Sequence, residues 1–205
     1  MKKIICTALA FALLTTSCNK VDKVDEYSAA MTSYSGDWEI VMMDWTPSDG
    51  KVVAVDIDND GYGSNDIVSE LRTIKNSSNW PKCRLIQNSD GKTGTFIMSI
   101  PVLDYYATDP DDASTGYLMG IPYGPAFRLN VSAEQVDGEW TIVSDKFDHF
   151  DWPDNDRLGM KNFGGVQISD AYYNSMHLTV DHYLVYDYYT NKLLDGSVKV
   201  WLYKD

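Results

Sequence analysis

The strongest chemical pattern in the sequence is a set of carboxylates spaced two apart: Asp56-Ile57-Asp58-Asn59-Asp60-Gly61-Tyr62-Gly63-Ser64-Asn65-Asp66. Calcium is a hard cation that takes roughly six to eight oxygen ligands, and alternating carboxylates on a tight glycine turn bring several of them to one point. The candidate ligands are therefore Asp56, Asp58, Asp60, Tyr62, Ser64 and Asp66, and calcium is the one cofactor the sequence points to. The same composition also suits a solvated turn between a strand and a helix, in which Asp, Asn and Gly supply turn and cap geometry. A second pattern is aromatic: Tyr105-Tyr106, Tyr172-Tyr173 and the run from Tyr183 to Tyr189, with Trp38, Trp152 and Trp201. Tyr and Trp faces line apolar pockets and stack on rings while their polar ends hydrogen-bond. Trp38, Tyr105, Tyr106, Trp152 and Tyr186 are the candidate ligand contacts.

Catalytic patterns are missing. There is no Gly-x-Ser-x-Gly elbow, no His-Glu-x-x-His and no glycine-rich phosphate loop, so no catalytic residue is assigned. The aspartates of 145–156 leave a hydrolase with acidic catalytic residues as an outlying alternative, and His149 among them is a weak metal candidate. A formal charge of −13, from 17 basic and 30 acidic residues, argues against nucleic acid, whose phosphates would repel the chain. Cys83 alternates with Leu85 in a strand-like run and reads as a core thiol.

The N-terminus places Met1-Lys2-Lys3 before an apolar run from Ile4 to Leu14, followed by Thr15-Thr16-Ser17-Cys18. A positive start, a short apolar stretch and small residues at a cut site make a secretory signal peptide over 1–17. The Cys directly after them resembles the lipobox of bacterial lipoproteins, although Thr15 departs from its preferred Leu. That resemblance implies that Cys18 is acylated and becomes the first residue. The protein would then cross the inner membrane and be anchored to the cell envelope at the outer membrane, with palmitate-type chains holding it. Losing Lys2 and Lys3 takes the mature charge to −15. Residues 18–34 read as the lipidated N-terminus and a polar tether, and 35–205 as one domain.

Within that domain the period is two. Trp38, Ile40 and Met42 share one face, and Val53 with Val55 forms a second short run. Hairpins are predicted through Ser89-Asp90-Gly91 and through Asp137-Gly138. Met176, Leu178 and Val180 continue to Leu184 and Tyr186, and Val198, Val200 and Leu202 close the chain. Eight to ten short antiparallel strands require a barrel or a sandwich. The exception is 66–75, where Ile67, Leu71 and Ile74 form a helical face behind Asn65 as N-cap. Residues 103–126 and 145–165 are long and turn-like, as binding loops or lids are.

Two resemblances refine these expectations. The first six positions of the acidic loop are similar to the start of an EF-hand loop, but Ile67 stands where that motif has its bidentate Glu. Gly36-Asp37-Trp38 resembles the Gly-x-Trp signature of lipocalin and calycin barrels, in which the Trp packs across the closed end. The family's capping Arg on the last strand is absent, and Lys199 and Lys204 are the cations there. With the lipobox, the layout also looks like lipoprotein families labelled lipid-binding hydrolases. The resemblance implies an all-β, up-and-down barrel of about eight strands that binds a small apolar or amphipathic ligand, with membrane contact through the lipid anchor. The alternative is a carbohydrate-binding β-sandwich with a structural calcium ion, its partner a glycan.

Overall fold

A computed structural model describes residues 18–51, 54–74, 83–106, 116–120, 126–151 and 158–204. The described chain is mostly β. Nine antiparallel strands form a single sheet curled into a half-barrel, so the barrel expectation holds, and among the described residues the only other sheet is the small β4–β5 pair. The strands are β1 (Gly36–Pro47), β2 (Cys83–Gln87), β3 (Thr93–Met98), β4 (Asp104–Tyr106), β5 (Tyr117–Gly120), β6 (Phe127–Val136), β7 (Glu139–Ser144), β8 (Phe147–His149), β9 (Gly164–Ala171), β10 (Ser175–Asp187) and β11 (Lys192–Tyr203). Helix α1 spans Cys18–Tyr34, α2 Ile67–Ile74 and α3 Leu158–Lys161.

The spatial order β7-β6-β3-β2-β1-β11-β10-β9-β8 is the chain order wrapped round, with the β4–β5 hairpin set aside as its own small sheet. First and last strands pair, Trp45 opposite Val198. The seam falls between β7 and β8, and side chains bridge across it: Thr141 Oγ1 donates to the Ala171 carbonyl at 3.0 Å and Ile168 N–H to Ser144 Oγ at 2.8 Å.

Alternation fills the inside. On β6, Phe127, Leu129, Val131 and Ala133 are buried while Arg128, Asn130 and Glu134 face water. Trp38, Met43, Phe96, Leu129, Val166, Met176, Leu178 and Val200 are wholly buried, so the described strands enclose packed side chains rather than an open lumen.

Two bulges overturn the uninterrupted alternation read from the sequence. On β1 the register shifts between Ile40 and Met42, so the inward set passes from Trp38 and Ile40 to Met43 and Trp45 and leaves Val41 exposed. On β10 the shift lies between Val180 and Tyr183, so Tyr183, Val185 and Asp187 point inward and Leu184 and Tyr186 are only half-buried. One extra residue reverses every later side chain, because the pleat repeats every two residues. Gly165, at φ +68°, lies opposite the second bulge, where an added Cβ would come within 2.6 Å of Asp181.

The stretch read as a tether is helical, and its C-terminal part belongs to the core: Ala30, Met31 and Tyr34 are buried. Tyr34 OH donates to the Trp140 carbonyl at 2.7 Å and Trp38 Nε1–H to the Tyr34 carbonyl at 3.0 Å. Lys204 closes this end of the sheet. Its Nζ lies 6.0 Å from the Trp38 ring centroid and donates to the Ser33 and Ser35 carbonyls at 2.7 and 2.5 Å. A cation there also complements the negative C-terminal end of α1. Among the described residues no helix is long and apolar enough to cross a membrane.

Candidate functional site

The remaining chemistry gathers at the opposite end of the half-barrel. Val55 and Ser64 form an isolated antiparallel bridge that closes the acidic loop at its base, while Val53 lies outside the described residues. Asn59 at φ 61° and Gly61 at φ 85° turn the chain through the left-handed region, which Asn tolerates better than most residues and Gly adopts freely. The loop then enters α2. Asp66 rather than Asn65 caps that helix: its Oδ1 accepts the N–H of Val68 at 3.0 Å and of Met43 at 3.1 Å. Asn65 instead donates from Nδ2 to Asp44 at 2.6 Å.

The structure separates the six predicted ligands. Asp56 and Asp58 converge with Glu70, with one carboxylate oxygen from each within 4.8 Å of the others. Asp60 is exposed and its Oδ1 accepts the Tyr62 N–H at 2.7 Å, while Tyr62 itself is 78% exposed. Ser64 Oγ accepts the Asp66 N–H at 3.0 Å, so Ser64 and Asp66 shape the start of the helix rather than joining the cluster. Glu70 lies outside the twelve-residue loop pattern, whose last position is Ile67. The acid sits three residues later, one turn into α2 and near Ile67 in space.

Backbone donors hold the cluster in place. Asp56 accepts from Asp60 N–H and Gly61 N–H, both at 3.2 Å, and Glu70 Oε2 accepts from Ile57 N–H at 3.0 Å. A second acid missed in the sequence, Asp187, ties the loop to the β10–β11 turn. Its Oδ1 accepts the Asp56 N–H at 3.0 Å, and its Oδ2 accepts Thr190 N–H and Oγ1–H at 3.1 and 2.6 Å. Tyr189 OH donates to the Gly61 carbonyl from the same turn. Burial pushes the Glu70 carboxyl up to about 6, and the charges of Asp58, Asp56 and Asp60 add to the rise. Asp58 is raised as well, first by loss of solvation. The donor set is all oxygen, with no imidazole or thiolate, which suits calcium or magnesium rather than zinc or copper. Each carboxylate oxygen that accepts one N–H keeps a further lone pair for a cation.

Beside this loop runs an apolar crevice lined by Ile57, Ile67, Leu103, Tyr183, Leu184 and Tyr186. Tyr105 stacks on Tyr186, ring centroids 5.8 Å apart and planes at 23°. Tyr105 is buried and Tyr106 half-buried on β4, and Tyr183 OH donates to the Pro101 carbonyl at 2.9 Å. Two of the five predicted ligand aromatics thus meet. Trp38 does not join them, being wholly buried at the far end, and Trp152 lies outside the described residues. The crevice encloses about 10 Å³, the room of a single water molecule, so a larger guest needs its lining side chains to move apart. A cluster of Phe127, Phe147, Phe150 and Phe163 packs the β8 side of the same end.

Cys18 opens α1, while 1–17 lie outside the described residues. Cys83 is buried, and burial pushes its thiol up to about 12, in keeping with a core role. His177 Nδ1 lies 2.5 Å from Asp170 Oδ1 on β9, beside Trp201. Compared with known proteins, the chain matches no family model, no curated protein and no solved structure.

Proposed function

We propose that this chain is an envelope-anchored lipoprotein whose half-barrel takes up one small apolar or amphipathic molecule at the loop end. The observation that carries the reading is the stacked pair of Tyr105 and Tyr186 beside the crevice of Ile57, Ile67, Leu103 and Leu184. An aromatic wall next to aliphatic side chains gives an alkyl or ring system a surface that water does not hold strongly. Because the described interior is packed, the reading puts the guest at the rim rather than at the centre. The acidic cluster next to that rim holds calcium as a brace, with Asp56, Asp58 and Glu70 as carboxylate ligands.

Displacement of a fluorescent fatty acid tests the first part. Saturable binding that weakens in Tyr186→Ala supports the reading, and no binding by the folded chain overturns it. The anchor is tested separately. Cys18→Ala is expected to release the protein from the membrane fraction, and continued attachment would sink the lipoprotein assignment.

A further inference from the structure

The outer face of β3, β6 and β7 carries a polar hollow that the loop-end site does not use. Alternation turns Phe96 and Leu129 into the core and leaves Thr93, Asn130 and Ser132 outside. An open hollow of about 440 Å³ lies there, walled by Asn88, Thr93, Asn130, Ser132 and Asp145, with Val143 and the backbone of Gly94 adding uncharged surface. That size falls within the range of small-molecule sites.

Its amides are fixed in advance. Asn130 Nδ2 donates to Asp145 Oδ2 at 2.7 Å, and the Asn130 backbone N–H donates to Asp145 Oδ1 at 2.8 Å. Asn88 Nδ2 donates to Thr93 Oγ1 at 2.8 Å, and that hydroxyl donates to Asp90 Oδ2 at 2.7 Å. Each Asn spends one N–H in this way and keeps its Oδ1 and a second N–H for a ligand. Among the described residues the Ser132 hydroxyl makes no hydrogen bond. Locked donors and acceptors lose little entropy on binding.

We infer that this hollow binds a neutral saccharide. Paired amide and hydroxyl groups match vicinal sugar hydroxyls, each of which both donates and accepts. Val143 offers a surface for the C–H face of a ring. Among the described residues the one formal charge on the walls is that of Asp145, and on a chain of net charge −13 it disfavours phosphates and carboxylates. The inference is independent of the crevice and of the lipid anchor.

The test is calorimetric titration of the full chain with maltose, cellobiose and glucuronate, backed by a glycan array. The expected result is saturable binding of a neutral saccharide, with glucuronate at least about tenfold weaker. Asn130→Ala is expected to weaken binding about tenfold, the loss of one or two hydrogen bonds. Ser132→Trp, an outward substitution that fills the hollow and spares the core, is expected to abolish it while leaving fatty-acid displacement unchanged. No neutral saccharide bound on the array, equal affinity for glucuronate, or binding that survives Ser132→Trp overturns the inference.

Discussion

The two ends of the half-barrel solve the problem of ending a sheet in opposite ways. At the α1 end, Met31, Tyr34 and Trp38 cover the strands with apolar surface, and Lys204 collects the Ser33 and Ser35 carbonyls left open where the helix stops. At the loop end, Asp56, Glu70 and Asp187 are buried, and three carboxylates approach one another around Asp58. One end is packed with protein partners and gains stability from that packing. The other keeps negative charge where desolvation disfavours it, and the proposed calcium would offset that cost.

This contrast predicts where the molecule is sensitive. Trp38→Ala should have the largest effect, about 3–5 kcal/mol lost in urea unfolding, since it leaves a cavity under α1. A loss under 1 kcal/mol would mean that the α1 end is not the stable one. Calcium comes next. At a free concentration about a hundred times its dissociation constant it should add about 2.7 kcal/mol, read as a rise in Tm that chelator reverses and Glu70→Gln removes. Unchanged melting at millimolar calcium would show that the cluster is only a turn.

Without calcium, Glu70 gives the loop end a pH dependence of definite sign. Its carboxyl rises on folding from 4.5 to about 6, so the folded state holds the proton more tightly than the unfolded chain. The stability this contributes is complete below about 4.5 and is lost as pH rises through 6. The difference between wild type and Glu70→Gln should therefore change by up to about 2 kcal/mol across that window. A flat difference would show that Glu70 is hydrated in the folded protein. Asp66→Ala removes the α2 cap and should cost about 1 kcal/mol by thermal unfolding. Tyr62→Ala, at an exposed loop position, should stay within about 0.5 kcal/mol, and a larger change would reveal a contact for that ring.

Much of the fold was legible in the residues. The Asp137-Gly138 hairpin, the β6 alternation and a helix close to 66–75 follow from turn chemistry and apolar period, which act over a few neighbours. The acidic loop was legible too, and with it two of the cluster's three carboxylates. Glu70 looked like one more charge on a helix until α2 folded back on the loop, and Asp187 lies 131 residues from its Asp56 partner. The bulges near Val41 and Asp181 left no pattern, because they answer to the strands opposite rather than to the strand's own sequence.

From the sequence alone came an acidic, strand-rich chain, a thiol placed as in lipoproteins, and a loop suited to hard cations. Tertiary structure decided that the end of the supposed tether packs into the core, that Trp38 is core, that Tyr105 meets Tyr186, and that Glu70 joins the carboxylate group. The division has a physical reason. Local preference is set by neighbours along the chain, whereas burial and charge convergence depend on which distant segments the curled sheet brings together.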